Sequence, residues 1–306
     1  MTTISVHVGG HVTLLFSIYS DALLARRQGS RGAGFCLENG IIAVVNILSG
    51  DTDKITVITM DGSELEKGDA LYLNLLEEFR EIFKVTDSVS LELFLELPVS
   101  QGFGMSAAGL LATSLALGEL FDVGEVSQLA RLAHRIERNH STGLGDILGL
   151  WAGGVELREV PGSPPSPGKV RAFSANVPAL LVWAPSDTKH TSSYIDNLEW
   201  KIAITKAGDK SVNHLMKYPW NRKIWPELLS EADRFAIDSG LLEEKERSDL
   251  LATVVENIEN NMSCHLCMLG TSVIIVPSKI DQKIDCDEVA SKLRSLGLGV
   301  FETRLQ

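Results

Sequence analysis

Between Pro98 and Gly109 the chain reads "PVSQGFGMSAAG", where Gly102, Gly104, Ala107, Ala108 and Gly109 leave the backbone almost bare. An alternating apolar run, "SVSLELFLEL" (88–97), leads in, and small residues then open a helix over 105–117. The first amides of a helix carry the positive end of its macrodipole. Glycines just before it let those amides converge on oxygen atoms without interference from a Cβ. Ser106, in the first turn, adds a hydroxyl that can reach a phosphate or its magnesium ion. The chemistry on offer is anion binding. A tight strand-to-helix turn with close packing explains the loop, taken alone, equally well.

Two familiar phosphate motifs fit poorly. "GFGMSA" matches G-x-G-x-x-A, but a dinucleotide site needs a second parallel strand after the helix, ending in an acid about twenty residues on. Asp122 falls instead in "ELFDVGEV", and the next element reads as a helix. A nicotinamide oxidoreductase therefore ranks last. A Walker loop is excluded because no Gly-Lys-Ser/Thr follows.

The elements that must position this loop can be read from periodicity. Residues 4–19, 34–48 and 54–60 carry β-branched or alternating runs and predict strands, as does 88–97. Helical spacing marks 69–83 and 126–140, the second strongly amphipathic. A strand follows at 154–160. Then comes "PGSPPSPG" (161–168), whose four prolines predict a surface loop and a seam between domains. Beyond it 178–185 reads as a strand, 192–260 as long helices, 264–277 as a buried strand and 286–297 as a helix. Strands and helices mix without strict βαβ alternation, which favours an α+β fold over a doubly wound sheet.

A chain of 306 residues suits two packed domains. Its net charge of −12 argues against a nucleic-acid surface, although a local site on an acidic protein can still bind an anion. No apolar run reaches bilayer-spanning length, and "MTTISVHVGGHVTLLF" reads as a first strand rather than a targeting peptide. Cys36, Cys264, Cys267 and Cys286 are too scattered for a disulfide framework. "CHLC" (264–267) lacks the further ligands zinc wants and reads as buried strand.

"PVSQGFGMSAA" (98–108) resembles the P-x-x-x-G-x-G-S-S-A-A loop of the GHMP kinase superfamily. "AHRIERNHSTGLGDILGLWAGG" (133–154) resembles that superfamily's E-R…H-G-x-P-S-G-x-D…G-G segment. "GSRGAGFCLENG" (29–40), "AHRIE" (133–137), "GLGD" (143–146), "VELRE" (155–159) and "MLG" (268–270) are similar to its archaeal pantoate kinase branch. The resemblance implies a two-domain α+β kinase, with an N-terminal domain at 1–165, a C-terminal domain at 166–306 and a cleft between them. It implies transfer of the γ-phosphoryl of ATP to the primary hydroxyl of pantoate, with magnesium, in cytoplasmic coenzyme A biosynthesis. A homodimer is the default for such an enzyme. A mevalonate- or homoserine-type kinase and a non-catalytic ligand-binding relative are the alternatives.

At matching positions the resemblance implies roles. Gly102, Phe103, Gly104, Met105, Ser106 and Ala107 would hold ATP, Ser106 and Glu137 the magnesium, and Asp146 would act on the acceptor hydroxyl. Ser30, His134 and Arg158 would bind pantoate, with Arg31 ranked below Arg158. Outside that context Glu137 reads as a solvated helix charge and Asp146 as a helix cap. Three features depart from the superfamily: Met105 replaces the first serine, the opening strand lacks a proline-led start, and Gly270 stands where a run of glycines is expected.

Overall fold

The computed structural model describes residues 2–66, 68–185 and 197–306. Two long strands, β1 (Thr3–Phe16) and β2 (Gly32–Ile47), run antiparallel along their whole length. The other edge of β2 is shared: β4 (Val89–Leu95) pairs with residues 41–47 and β5 (Val155–Val160) with residues 32–35. β3 (Lys54–Ile58) joins β4 in the parallel sense, and β6 (Lys169–Phe173) pairs with β5, completing six strands.

Helices α1 (Ala70–Phe83), α2 (Met105–Phe121) and α3 (Val126–Asn139) belong to this half. α2 lies against β1, β2 and α3, and its nearly unbroken apolar and small residues suit a helix enclosed on most sides. α3 is two-faced. Leu129, Leu132, Ala133 and Ile136 are buried while Arg131 and Arg135 face solvent, and Glu125 and Gln128 close its start with a reciprocal capping box. His134 and Glu137 sit on the buried face. A short helix, α4 (Asp146–Ala152), then leads into β5.

The second half is a four-stranded antiparallel sheet in the order β10-β7-β9-β8, formed by β7 (Pro178–Trp183), β8 (Met262–Leu266), β9 (Ser272–Pro277) and β10 (Gly299–Arg304). It carries α5 (Leu198–Leu215), α6 (Trp225–Asp238), α7 (Lys245–Val255) and α8 (Cys286–Ser295). Aromatic pairs tie the halves together: Phe35 of β2 stacks on Trp225 at 5.3 Å, and Phe16 of β1 meets Phe235 at 5.7 Å. No helix among the described residues is long and apolar enough to cross a membrane.

The architecture is α+β, as expected. The apolar run at 264–277 differs from its reading as one strand. It makes two, because Met268–Thr271 turn back along the glycine loop. Residues 192–196, at the start of the expected helical stretch, lie outside the described residues. The proline-rich loop at 161–168 joins β5 to β6 inside the first sheet. We propose that the division between domains falls after it, at 174–177, ahead of β7.

Candidate active site

A cavity of about 290 Å³ opens where the glycine loop meets α2. Gly102, Phe103, Gly104, Met105, Ser106 and Ala107 line it, facing residues drawn from the loop at 140–146, from Thr13 and Ser30, and from Met268 and Leu269. Gly102 (φ +78°) and Gly104 (φ +68°) both adopt the left-handed conformation. Space is short as well. A Cβ on Gly104 would lie 2.9 Å from the His11 carbonyl oxygen, and one on Gly102 would lie 3.1 Å from the Gly270 nitrogen. Phe103 and Met105 are buried, so what they offer the cavity is chiefly main chain. The first bond of α2 runs from the Ala108 amide to the Gly104 carbonyl (2.9 Å), which leaves the preceding amides without intrahelical partners.

Two carboxylates converge beside the loop at 140–146. A Cβ on Gly143 would collide with Glu137 Oε1 and lie 2.9 Å from Asp146 Oδ2, so the absent side chain is what lets both acids reach one point. Arg138 fixes that loop by donating to the Gly143 carbonyl. Asp146 is 23% exposed and lines the cavity. Glu137 is fully buried, and neither of its oxygens completes a well-formed hydrogen bond.

Asp146 is anchored from behind. His11 Nδ1 lies 2.7 Å from Asp146 Oδ1, and Thr13 Oγ1 donates to the same oxygen at 3.4 Å. His11 and Thr13 are two apart on β1 and so share a face. On the far side of β2, Glu156 Oε1 is 3.1 Å from His11 Nε2 and 3.6 Å from Arg158 Nη1, and Arg158 Nη2 donates to Thr13 Oγ1 at 3.3 Å.

The chain matches the GHMP kinases N-terminal domain family over residues 70–154. It is 29% identical to the pantoate kinase of Methanospirillum hungatei, covering 92% of this chain and 90% of that protein. It is 28% identical to the pantoate kinase of Thermococcus kodakarensis, covering 96% and 91%. A solved structure described as a phosphotransferase related to the CoA biosynthesis pathway superposes with a TM-score of 0.77, at 26% identity, covering 99% of this chain and 96% of that one. Residues 70–154 thus match the N-terminal domain of the GHMP kinases, and the whole fold superposes on a phosphotransferase of known structure.

The expected site residues divide into two sets. Gly102–Ala107, Ser30 and Asp146 line the cavity. Glu137, His134 and Arg158 do not; each is fully buried just behind it. Ser30 links the sets, since a Cβ on Gly145 would collide with Ser30 Oγ and lie 3.0 Å from Arg158 Nη1. His134 Nε2 pairs with the Ala25 carbonyl (3.2 Å), its Nδ1 lies 3.9 Å from Glu137 Oε2, and Arg158 Nε and Nη1 have no hydrogen-bond acceptor. The bland readings of the two acids fail: Glu137 is not solvated, and Asp146 is the first residue of α4 with its carboxylate on His11. Arg31 is committed elsewhere, donating to Asp209 (2.8 Å) and Asn213 (2.7 Å) of α5.

Electrostatics separate the carboxylates. Burial, reinforced by the charge of Asp146, pushes Glu137 well above the usual carboxylate range. Burial acts the same way on Asp146 and is the largest single influence there, but the hydrogen bond and charge of His11, the charge of Arg158 and the bond from Thr13 together outweigh it and hold this carboxyl below its ordinary value. Burial lowers the His134 pKa to about 4, so its imidazole is neutral at pH 7.

His11, Thr13 and Glu156 were not anticipated from sequence. A signal existed for two of them: a histidine inside an apolar strand, and charges alternating with Val155 and Leu157 on a strand buried on both faces.

Proposed function

We propose that the chain is an ATP-dependent pantoate kinase that phosphorylates the primary hydroxyl of (R)-pantoate to 4-phosphopantoate, feeding coenzyme A synthesis. The observation that carries this reading is the meeting of Glu137 and Asp146 beside Gly143, at a cavity shared with the first turn of α2. Phosphoryl transfer asks a protein mainly for positioning and for neutralisation of charge. The amides of Gly102–Ala107 cradle the triphosphate of ATP at the positive end of α2. Asp146, ionised and fixed from behind, accepts a hydrogen bond from the pantoate hydroxyl. As that oxygen bonds to the γ-phosphorus and the β,γ-bridging oxygen departs, Asp146 takes up the proton.

The residues present fit magnesium. Glu137 has two buried oxygens that complete no well-formed hydrogen bond and an environment hostile to an uncompensated negative charge, and Ser106 offers a hydroxyl at the cavity wall. Carboxylate and hydroxyl oxygens suit a hard cation. When bound, magnesium would neutralise charge on the phosphate oxygens.

The polar atoms left unsatisfied behind Ser30, at Arg158 and His134, fit a small polyhydroxy acid, with Arg158 reading its carboxylate. A cytoplasmic homodimer belongs to the same reading, and light scattering on the purified protein tests its stoichiometry. Function is tested by following ADP release with magnesium ATP against pantoate, mevalonate, homoserine and shikimate. Turnover confined to pantoate is expected. Turnover with another alcohol, or with none by folded protein, rejects the assignment.

A further inference from the structure

His11 occupies a slot made by missing side chains. A Cβ on Gly34 of β2 would lie 2.9 Å from His11 Nε2 and 3.0 Å from Glu156 Oε1, and one on Gly149 of α4 would lie 2.6 Å from His11 Nε2. Gly34 is paired with Thr13 of β1 on one side and Glu156 of β5 on the other. The bare middle strand lets an imidazole on β1 touch a carboxylate on β5 across it, two strands away. A register shift between Gly9 and His11 sets the ring's direction, as bulges do beside active sites.

Both ring nitrogens face carboxylate oxygens, Nδ1 toward Asp146 and Nε2 toward Glu156. A neutral imidazole has one N–H and satisfies only one of them. With both acids ionised and Arg158 as the other cation, the cluster is neutral when the ring carries both protons, and each carboxylate then accepts one N–H. We propose that His11 is a positioning residue, an imidazolium clamped between Asp146 and Glu156 that holds Asp146 ionised with Oδ2 turned to the cavity. Glu156, fully buried and outside the cavity lining, serves as the counter-ion that keeps both protons on His11.

The groups facing the ring are Asp146 of α4, Glu156 and Arg158 of β5, and the thiol of Cys36 of β2, which donates to the Gly149 carbonyl at 3.4 Å. Burial alone would strip the second proton, but the two carboxylates outweigh it and raise the His11 pKa. Acting through Asp146, His11 favours a carboxylate that orients the hydroxyl and accepts its proton late over a strong base that removes it early.

The inference rests on Asp146 acting on the acceptor hydroxyl, so its test is split. Nitrogen-15 NMR of histidine-labelled enzyme, with His11→Asn used to assign the ring, reads the proton count on His11 whatever the substrate. Two protonated nitrogens at pH 8 are expected, and a single N–H overturns the clamp. Kinetically, His11→Asn should lower kcat about a hundredfold while the KM for ATP holds. His11→Lys, which restores the positive charge, should recover most of that loss. Glu156→Gln, which touches neither Asp146 nor the cavity, should lower kcat in the same direction by a smaller factor. Unchanged kcat in Glu156→Gln, or equal losses in the asparagine and lysine variants, overturns the positioning role. If the wild type does not phosphorylate pantoate, the functional assignment fails while the NMR result still decides the state of His11.

Discussion

Glu137 and Asp146 reach one point from different elements, the buried face of α3 and the first residue of α4, and that point is where a side chain on Gly143 would stand. Gly143→Ala would wedge a methyl group into the place where the two acids meet. A misplacement of this size costs about 10²-fold in kcat. Steady-state ADP release should show that loss together with a weakened response to added magnesium. Wild-type kinetics in this variant would separate the acids from the chemistry.

Gly104→Ala tests the loop. The residue needs a positive φ of 68° and has backbone atoms of His11 about 3 Å from any added Cβ. The strain costs roughly 1–3 kcal/mol, and relief would tilt the amides away from the phosphates. A lower melting temperature and a higher KM for ATP are expected together. A lower Tm with unaltered ATP affinity would take these amides out of the nucleotide site.

Arg158 can be tested without emptying a buried charge site. Arg158→Ala leaves Glu156 with His11 as its sole close cation among the described residues and should cost about 3–5 kcal/mol of stability. Arg158→Lys keeps the charge and loses the planar fork. It should raise the KM for pantoate far more than that for ATP. Equal rises for both substrates would remove Arg158 from recognition of the acid.

His134 supplies a pH signature. Its pKa is near 6.5 in the unfolded chain and about 4 in the fold, so below pH 6.5 the unfolded state binds more protons. The stability it contributes is complete above pH 6.5 and is lost as pH falls toward 4, by about 3 kcal/mol in all. His134→Gln removes this dependence. Melting temperatures of the two proteins, measured from pH 7.5 to 4.5, should therefore converge or cross on the acid side. Parallel curves would show that His134 titrates normally.

Much of this was legible in the chain. The loop at 98–108, the amphipathic α3 with His134 and Glu137 three apart, and the long strands all declare themselves through local spacing. β6 and β10 did not, since "KVRAF" and "GVFETR" are short and lean on partners for their pairing. The clamp on Asp146 was hidden for a different reason. His11 is 135 residues from Asp146 and 145 from Glu156, and what joins them is the lack of a side chain at Gly34, a property of strand register. The burial of Arg158 and His134 behind Ser30 likewise needed the tertiary fold.

The glycine loop is braced from both halves of the molecule. The His11 amide donates to the Phe103 carbonyl at 3.0 Å, while Ser272 bonds the Gln101 carbonyl, Gly270 packs on that same peptide, and Arg247 of α7 holds the Gly270 carbonyl at 3.0 Å. A fragment confined to residues 70–154 would thus carry the motif without the mould that shapes it. Nucleotide affinity and the folding of the second sheet become one linked equilibrium, in which ATP slows amide exchange at Leu266–Ser272 and damage to α7 registers as a loss of ATP binding.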